Sequence, residues 1–169
     1  VQNQKSIINQ EEVIQFGNFN YAVQTQDVDL VGGLNHASTH QEGDNNTSVQ
    51  KQNGVLNKTK SLQSGFGNRV DQSQSGKLNV AIMDQTPIHN VAIQNHNSGL
   101  LGYNTFNKAE IYQSGGSDND AVQNQTVSDG TIMSNDANIH QNGYSNFASQ
   151  TIIVPFHRLV TETEQLYIK

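Results

Sequence analysis

Apolar or small side chains alternate with polar ones along most of this chain, with a period of two. The residue two positions before each of six spaced glutamines is mostly small or apolar, and so is the residue four positions before it. Aligned from repeat to repeat, these residues form two columns. These columns are Val13, Thr39, Ser61, Met83, Ile111, Ile139 and then Glu11, Ala37, Thr59, Ala81, Ala109, Ala137. Such alternation predicts β-strands that turn one face inward.

The glutamines used as anchors open six repeats, each marked by Gln-x-Gly or, in the fourth repeat, Gln-x-Pro. The anchors are Gln15, Gln41, Gln63, Gln85, Gln113 and Gln141, separated by 26, 22, 22, 28 and 28 residues. The predicted turn residues two positions later are Gly17, Gly43, Gly65, Pro87, Gly115 and Gly143. Internal repeats of this length are typical of solenoids.

Asparagine and glutamine fill the other fixed positions of each repeat. Six residues before the anchors stand Asn9, Asn35, Asn57, Asn79, Asn107 and Asn135. Five residues after the anchor glutamines stand Asn20, Asn46, Asn68, Asn90 and Asn146, and Asn119 fits if its turn contains one inserted residue. Four residues further on stand Gln24, Gln50, Gln72, Gln94, Gln123 and Gln150. A last column, Gln26, Gln52, Gln74 and Gln125, is broken by His96 and Ile152.

Each repeat is therefore predicted to be a strand, a turn and a second strand. A single hairpin of this kind is not stable in water, but stacked repeats would bring identical carboxamides into register about 4.7–4.8 Å apart, where they can hydrogen bond to each other. The predicted fold is all-β, a solenoid of about six stacked repeats that form two facing parallel sheets, as in cross-β fibres. The predicted repeats lie within residues 6–152 and span 6–26, 32–52, 54–74, 76–96, 104–125 and 132–152.

Composition supports a polar interior and excludes several classes of function. Only 33% of the residues are hydrophobic, whereas the sequence contains 22 asparagines and 20 glutamines. The net charge of -6 comes without a basic stripe, so nucleic acid is not expected as a partner. No apolar stretch approaches the length of a membrane span, and the chain has no cysteine. Because the sequence starts at Val1 and has no signal-peptide pattern, we expect that a leader has been removed.

Candidate chemical sites are weak in this sequence. The six histidines share no column apart from His40 and His140, and the acidic residues match no calcium-binding motif. No signature of a nucleophilic triad, a carboxylate pair or a phosphate-binding loop is present. We therefore predict no catalytic residue, no metal site and no cofactor, and expect a structural protein and not an enzyme.

The pattern Asn-x5-Gln-x-Gly-x-x-Asn-x-Ala-x-Gln-x-Gln resembles the curlin repeat of curli fibre subunits. The segments 63–68, Gln-Ser-Gly-Phe-Gly-Asn, and 15–22, Gln-Phe-Gly-Asn-Phe-Asn-Tyr-Ala, carry the likeness most clearly. In this family the first position is usually serine, and here it is asparagine throughout. The resemblance implies a functional amyloid subunit that is secreted through a dedicated outer-membrane pore, polymerises with itself and with a nucleator subunit, and builds extracellular biofilm and adhesive fibres.

Both ends of the chain contain a possible half repeat. Residues 1–4 repeat residues 122–125 and are predicted to form a lone second strand within residues 1–5. In the tail, residues 153–169, the segment 159–165 is predicted to be a lone first strand with Gln165 as its anchor. We expect these half repeats to meet between subunits in a head-to-tail filament. The alternative function is a monomeric solenoid that binds a polysaccharide or another surface, although Tyr21, Tyr112, Tyr144 and Phe147 are too scattered to predict an aromatic file.

Overall fold

The fold is an all-β solenoid made of two parallel sheets, as the sequence predicted. The computed structural model describes residues 1–4, 8–27, 33–98, 105–127, 133–154 and 161–168. Within these residues the strands form two seven-stranded sheets, and every neighbouring pair is parallel. Sheet 1 contains β2 (Ile8–Phe16), β4 (Leu34–Asp44), β6 (Lys58–Phe66), β8 (Asn79–Ile88), β10 (Thr105–Ser117), β12 (Met133–Asn142) and β14 (Thr161–Ile168).

Sheet 2 contains the strands that follow those of sheet 1 in the chain, together with one strand at the N-terminus. They are β1 (Gln2–Gln4), β3 (Tyr21–Asp27), β5 (Thr47–Val55), β7 (Arg69–Lys77), β9 (Val91–Ser98), β11 (Asp120–Val127) and β13 (Phe147–Val154). We call one strand of sheet 1 with the next strand of sheet 2 a rung. Among the described residues, six rungs run from β2/β3 to β12/β13, and β1 and β14 are single strands at opposite ends.

Burial alternates along the strands because successive side chains point to opposite faces. In β9, for example, Ala92, Gln94, His96 and Ser98 are buried and the residues between them are partly or fully exposed. The interior between the sheets is mixed, with an apolar cluster formed by Val70, Met83, Ala92, Ile111, Ala121, Ile139 and Ala148. Glutamines and asparagines fill the rest of it. Val70, Ile111 and Ile139 of this cluster are β-branched, which suits side chains that pack on the pleated surface of a strand.

The turns within the rungs share one backbone conformation. The residue directly before each second-column asparagine has a positive φ, between 49° and 68°, and these residues are Phe19, Asn45, Gly67, His89, Asp118 and Ser145. Two connections between rungs repeat this conformation, at Leu56 before Asn57 and at Leu78 before Asn79. Turns of both kinds therefore end in the same left-handed residue followed by asparagine.

One predicted turn residue is wrong. Gly116, and not Gly115, pairs with Pro87, and a register shift between Gln113 and Gly116 accommodates one extra residue. A Cβ atom on Gly116 would lie 2.0 Å from the carbonyl oxygen of Gly143, so Gly116 stacks in the turn column. Gly115 is exposed, and its φ of 75° places it in the bulge. The insertion expected before Asn119 is therefore Gly115 itself.

The predicted register of the C-terminal strand is also wrong. β14 does pair with β12 in sheet 1, but Gln141 lies opposite Ile168, and Gln165 lies opposite Asn138. The shift is three residues, an odd number, so it exchanges the faces of the strand. At the other end, β1 pairs with β3 and aligns Gln2 with Gln24. Residues 5, 155–160 and 169 of the predicted terminal segments lie outside the described residues.

Candidate functional site

The anchor glutamines of sheet 1 form one continuous ladder of side-chain hydrogen bonds. Each Nε2 donates to the Oε1 of the next anchor toward the C-terminus, over 2.5 to 3.0 Å, in the order Gln15, Gln41, Gln63, Gln85, Gln113, Gln141. From Gln41 onward these glutamines are at most 1% exposed, whereas Gln15 in the first rung is exposed. The ladder therefore runs through all six rungs and ends at Gln141.

A second ladder runs through sheet 2 and includes the N-terminal half strand. Its members are Gln2, Gln24, Gln50, Gln72, Gln94, Gln123 and Gln150, and each Nε2 again donates toward the C-terminus. The distances are 2.8 to 3.2 Å, except for 3.5 Å between Gln2 and Gln24. All donors in both ladders point the same way, so the ladders have a direction.

The remaining amide hydrogens join the two sheets. The Nε2 of Gln63 also donates to the backbone oxygen of Thr47, at 3.0 Å. In the opposite direction, the Nε2 of Gln50 donates to the backbone oxygen of Ser38, also at 3.0 Å. Because a carboxamide has two donor hydrogens, one satisfies the next rung and the other satisfies the facing strand. The buried glutamines of these two ladders are therefore paired, as buried polar groups need to be.

The asparagines after the turns hold the turns of adjacent rungs together. The backbone nitrogen of Asn46 donates to the Oδ1 of Asn20 at 2.9 Å, and its Nδ2 donates to the backbone oxygens of Glu42 and Gly65 at 3.2 and 3.0 Å. The same bond from backbone nitrogen to Oδ1 continues through Asn68, Asn90, Asn119 and Asn146. The bond from Nδ2 to the backbone oxygen four residues earlier, which closes the turn, recurs at Asn20, Asn68, Asn90 and Asn146. In the fifth rung, the Nδ2 of Asn119 donates instead to the Oδ1 of Asn90 and the backbone oxygen of Gly143.

The first asparagine column makes similar contacts at the other edge of the solenoid. The backbone nitrogens of Asn57 and Asn79 donate to the Oδ1 atoms of Asn35 and Asn57, at 3.1 and 3.2 Å. Further along, the Nδ2 atoms of Asn107 and Asn135 each donate to the preceding Oδ1 at 3.0 Å. Asn9, in the first rung, differs, because among the described residues neither of its amide atoms has a hydrogen-bond partner.

The last glutamine column is interrupted where the sequence departs from its pattern. Gln26 donates to Gln52 and Gln52 to Gln74, at 2.7 and 3.2 Å. His96 takes the next position, 2% exposed, and neither ring nitrogen has a partner among the described residues. Burial lowers the pKa of His96 to about 3, so the ring is neutral at pH 7.

The outer faces carry charges and a few aromatic side chains. Arg69 and Asp71 are 3.9 Å apart and Lys108 and Glu110 are 3.1 Å apart, all on outward positions. The rings of Tyr112 and His140 stack with centroids 4.8 Å apart, beside a depression of about 350 Å³ that Asp84 also lines. Burial raises the pKa of Asp84, and the charge of Lys60 partly offsets this.

The histidine and acidic side chains are dispersed in the part of the chain that the structure describes. No cluster of three or more histidine or acidic residues there could hold a metal ion. Nor do the described residues contain a helix that is long and apolar enough to cross a membrane. His157 lies outside the described residues. The arrangement offers hydrogen bonding along one axis and open strand edges where that axis ends.

Both ends of each sheet are open among the described residues. At the N-terminal end, β1 pairs only with β3, and β2 pairs only with β4. At the C-terminal end, β13 pairs only with β11, and β14 only with β12. Open edges of this kind can pair with strands of another chain.

Sequence reasoning missed that the two halves of a rung are related. Six asparagines of the two columns between residues 35 and 90 are spaced by 11 residues and alternate between the two edges of the solenoid: Asn35, Asn46, Asn57, Asn68, Asn79, Asn90. An 11-residue period was therefore present in the sequence.

Comparisons with protein-family models, with curated proteins and with solved structures found no match to this chain.

Proposed function

We propose that this chain is the structural subunit of an extracellular functional-amyloid fibre of the curlin type, in which copies stack head to tail. The observation that carries the proposal is that both ends of the solenoid are open strand edges among the described residues, and that the glutamine ladders between these ends all donate in the same direction. Gln141 and Gln150 end the ladders toward the C-terminus, and Gln15 and Gln2 begin them. Stacking a second copy in the same orientation would extend the ladder from Gln2 to Gln150 by the contact already present inside the chain, and it would pair the open strand edges of both sheets.

The physical reason for polymerisation is that an open solenoid exposes unpaired backbone groups. Natural solenoids usually cover their ends with capping segments. In the described residues the ends are strands: β1 and β2 at one end, and β13 and β14 at the other. A head-to-tail contact that does not close on itself produces a filament. The axis of that filament would be the direction along which the rungs stack.

The biological setting of the proposal comes from the resemblance to curlin repeats. It consists of secretion to a bacterial surface, a role in biofilm matrix and adhesion, a dedicated secretion pore, and a nucleator subunit that starts the fibre. The main partner in this proposal is a second copy of the chain. The role is structural and uses no cofactor, because the side chains inside the solenoid bond to one another.

Dilution of the purified chain from denaturant tests the proposal. We expect unbranched fibres with diffraction near 4.7 Å along the fibre axis. The control is Gln50→Pro, which removes a ladder side chain and a backbone donor from a central strand and should prevent fibre formation. A wild-type chain that remains a folded monomer at high concentration would contradict the fibre role.

A second candidate function, polysaccharide binding, is favoured by the outer face of sheet 1. The stacked rings of Tyr112 and His140 beside Asp84 combine an aromatic surface with hydrogen-bonding groups, which is an arrangement suited to a sugar ring. Co-sedimentation with an insoluble polysaccharide tests this function. Wild-type chain should sediment with the polysaccharide and Tyr112→Ala should not. Equal sedimentation of both would exclude this face as the polysaccharide-binding site.

A further inference from the structure

The two single strands at the ends of the solenoid lie in opposite sheets. β1 extends sheet 2 beyond β3 at the N-terminal end, and β14 extends sheet 1 beyond β12 at the C-terminal end. Each is therefore half of a rung, and within the described residues neither has the other half beside it. In the described part of the chain, no strand of sheet 1 lies at the level of β1, and no strand of sheet 2 lies at the level of β14.

β1 already behaves as a member of sheet 2. The backbone nitrogen of Gln24 donates to the oxygen of Val1 at 2.9 Å, and Gln2, Asn3 and Gln4 align with Gln24, Thr25 and Gln26. The N-terminal ammonium donates to the oxygen of Ala22 at 2.7 Å. The strand is thus held in the register of a full rung, although no sheet 1 strand accompanies it among the described residues.

We propose that β14 of one subunit and β1 of the next subunit form a single composite rung, which makes the junction of the proposed fibre. This inference rests on the proposed function and specifies its contact surface. The columns of sheet 2 fix the register: Gln2 of the next subunit stacks on Gln150, Asn3 on Thr151 and Gln4 on Ile152. The partner is a second copy of this chain in the same orientation.

The columns of sheet 1 fix the register of the other half of the junction. Glu162 follows Asn135 in its column, and Ile168 follows Gln141. Asn9 and Gln15 begin those two columns, so β2 of the next subunit would place Asn9 on Glu162 and Gln15 on Ile168. Residues 161–168 would pair along their whole length with residues 8–15 of the next copy.

Two features inside the chain favour this junction. In the ladder that begins at Gln2, every Nε2 donates toward the C-terminus. The Oε1 of Gln2 is therefore placed to accept a hydrogen bond from the Nε2 of Gln150 in the preceding subunit. The amide of Asn9 has no hydrogen-bond partner among the described residues of the single chain, and the junction would bring a glutamate, a hydrogen-bond acceptor, to its column. A subunit stacked upside down would reverse the donor direction and would not continue the ladder.

The composite rung sets the number of levels that each subunit contributes to a fibre. Six complete rungs and one shared rung make seven levels. With strands about 4.7–4.8 Å apart, the subunit rise along the axis would be about 33 Å. Six or eight levels would give a rise of about 29 or 38 Å instead.

Cysteine cross-linking tests the register, since the chain has no cysteine of its own. Asn3 and Thr151 are both exposed and would become neighbours with Cα atoms about 4.8 Å apart, within the range for a disulfide. The test variant is therefore Asn3→Cys with Thr151→Cys. The matched control, Asn3→Cys with Ser149→Cys, uses an exposed position two residues away, where the Cα atoms would be about 8 Å apart and too far to bridge.

Fibres of each variant are grown under reducing conditions, oxidised, and dissolved in denaturant without reductant. We expect a ladder of disulfide-linked multimers from the test variant and mainly monomer from the control, together with a rise of about 33 Å by electron microscopy of wild-type fibres. Fibres with equal cross-linking in both variants, or with a rise of six or eight levels, would overturn the composite rung and leave the fibre role intact. A wild-type chain that forms no fibres would overturn both proposals.

Discussion

His96 stacks directly on Gln74 in the second sheet, and no hydrogen bond joins the two side chains. The Nε2 of Gln74 has no acceptor, and on the far side of His96 the Oε1 of Gln125 has no donor, among the residues that the structure describes. An imidazole places its nitrogens differently from a carboxamide, so it cannot both accept from the rung before and donate to the rung after. The ladder therefore has a fault in its fourth rung.

Replacing His96 with glutamine should repair this fault. The new side chain would accept from Gln74 and donate to Gln125, which satisfies two buried groups that each cost about 1–3 kcal/mol when unpaired. We expect His96→Gln to raise the free energy of unfolding by about 2 kcal/mol or more in urea titrations of the monomeric chain. His89→Gln, at an exposed turn position, is the control and should change it little. A destabilised His96→Gln variant would show that the histidine fits better than a carboxamide.

The buried His96 should also make the chain sensitive to acid. Its folded pKa of about 3 lies below the ordinary value of 6.5, because burial disfavours the charged ring. The unfolded chain therefore binds a proton at His96 as the pH falls below about 6.5, whereas the folded chain does not until about pH 3. Stability present above pH 6.5 should be lost by about 1.4 kcal/mol per pH unit within this window.

The comparison of wild type with His96→Gln isolates this effect from the titration of the carboxylates. Urea unfolding of both proteins at pH 7, 5.5 and 4 should give a difference in unfolding free energy that grows as the pH falls. A constant difference across this range would show that His96 is hydrated or protonated in the folded chain.

Breaking a ladder in its middle should be more costly than losing a surface glutamine. Gln50 donates to Gln72 and Ser38 and accepts from Gln24, so Gln50→Leu leaves several buried groups without partners. We expect a loss of about 2–4 kcal/mol in the free energy of unfolding. The control Gln10→Leu removes an exposed amide that contacts only His36 among the described residues, and it should cost under about 0.5 kcal/mol. Similar losses in both variants would contradict a structural role of the ladder.

The position of the fifth turn can be tested by two neighbouring glycine substitutions. A Cβ at Gly116 would meet the backbone oxygen of Gly143, whereas a Cβ at Gly115 would meet the side-chain oxygen of Asn142, which can move. Gly115→Ala should therefore cost only about 1 kcal/mol, for its positive φ, and Gly116→Ala clearly more. Thermal unfolding of the two variants gives the order of their stabilities. If Gly115→Ala is the less stable variant, Gly115 and not Gly116 occupies the turn column.

The composite rung would make two acidic residues neighbours in one column. Glu164 follows Ala137, and Glu11 of the next subunit would come after it. Two like charges about 5 Å apart repel by about 1 kcal/mol even in water, so Glu164→Gln should speed seeded elongation at pH 7 by roughly fivefold.

Glu162→Gln is the matched control for this prediction, because its neighbour in the next subunit would be Asn9 and not an acid, and glutamine keeps an acceptor oxygen for the Asn9 amide. It should leave elongation nearly unchanged at pH 7. The advantage of Glu164→Gln should disappear at pH 3, where carboxyl groups are protonated. Equal acceleration by both variants would indicate a general effect of net charge.

The fold could be predicted from the sequence because its columns need identical residues. A ladder of glutamines works only if each rung supplies one, so Gln41 and Gln63 mark their rungs without knowledge of the structure. The fifth turn was harder, since Gly115 and Gly116 are adjacent and either could fill the column by sequence. Only the approach of Gly116 to the backbone of Gly143 distinguishes them.

The C-terminal strand could not be placed from one glutamine. Gln165 is the only carboxamide in β14, and using it as the anchor displaced the register by three residues. In the register found, Leu166 follows Ile139 in the apolar column of sheet 1. An apolar residue, and not the glutamine, therefore lies in register with its own kind in the preceding strand. The internal repeats of such a protein therefore give little information about the register of its terminal strands.

The uniform direction of the glutamine ladders gives a fibre of this protein an electrical property. Carbonyl dipoles along a strand alternate and largely cancel, but the ladder from Gln15 to Gln141 and the one from Gln2 to Gln150 point every side-chain amide the same way. Their dipoles add from rung to rung and from subunit to subunit. A long fibre would thus carry a permanent moment along its axis, its two tips would bear partial charges of opposite sign, and fibres in dilute suspension would align in an electric field.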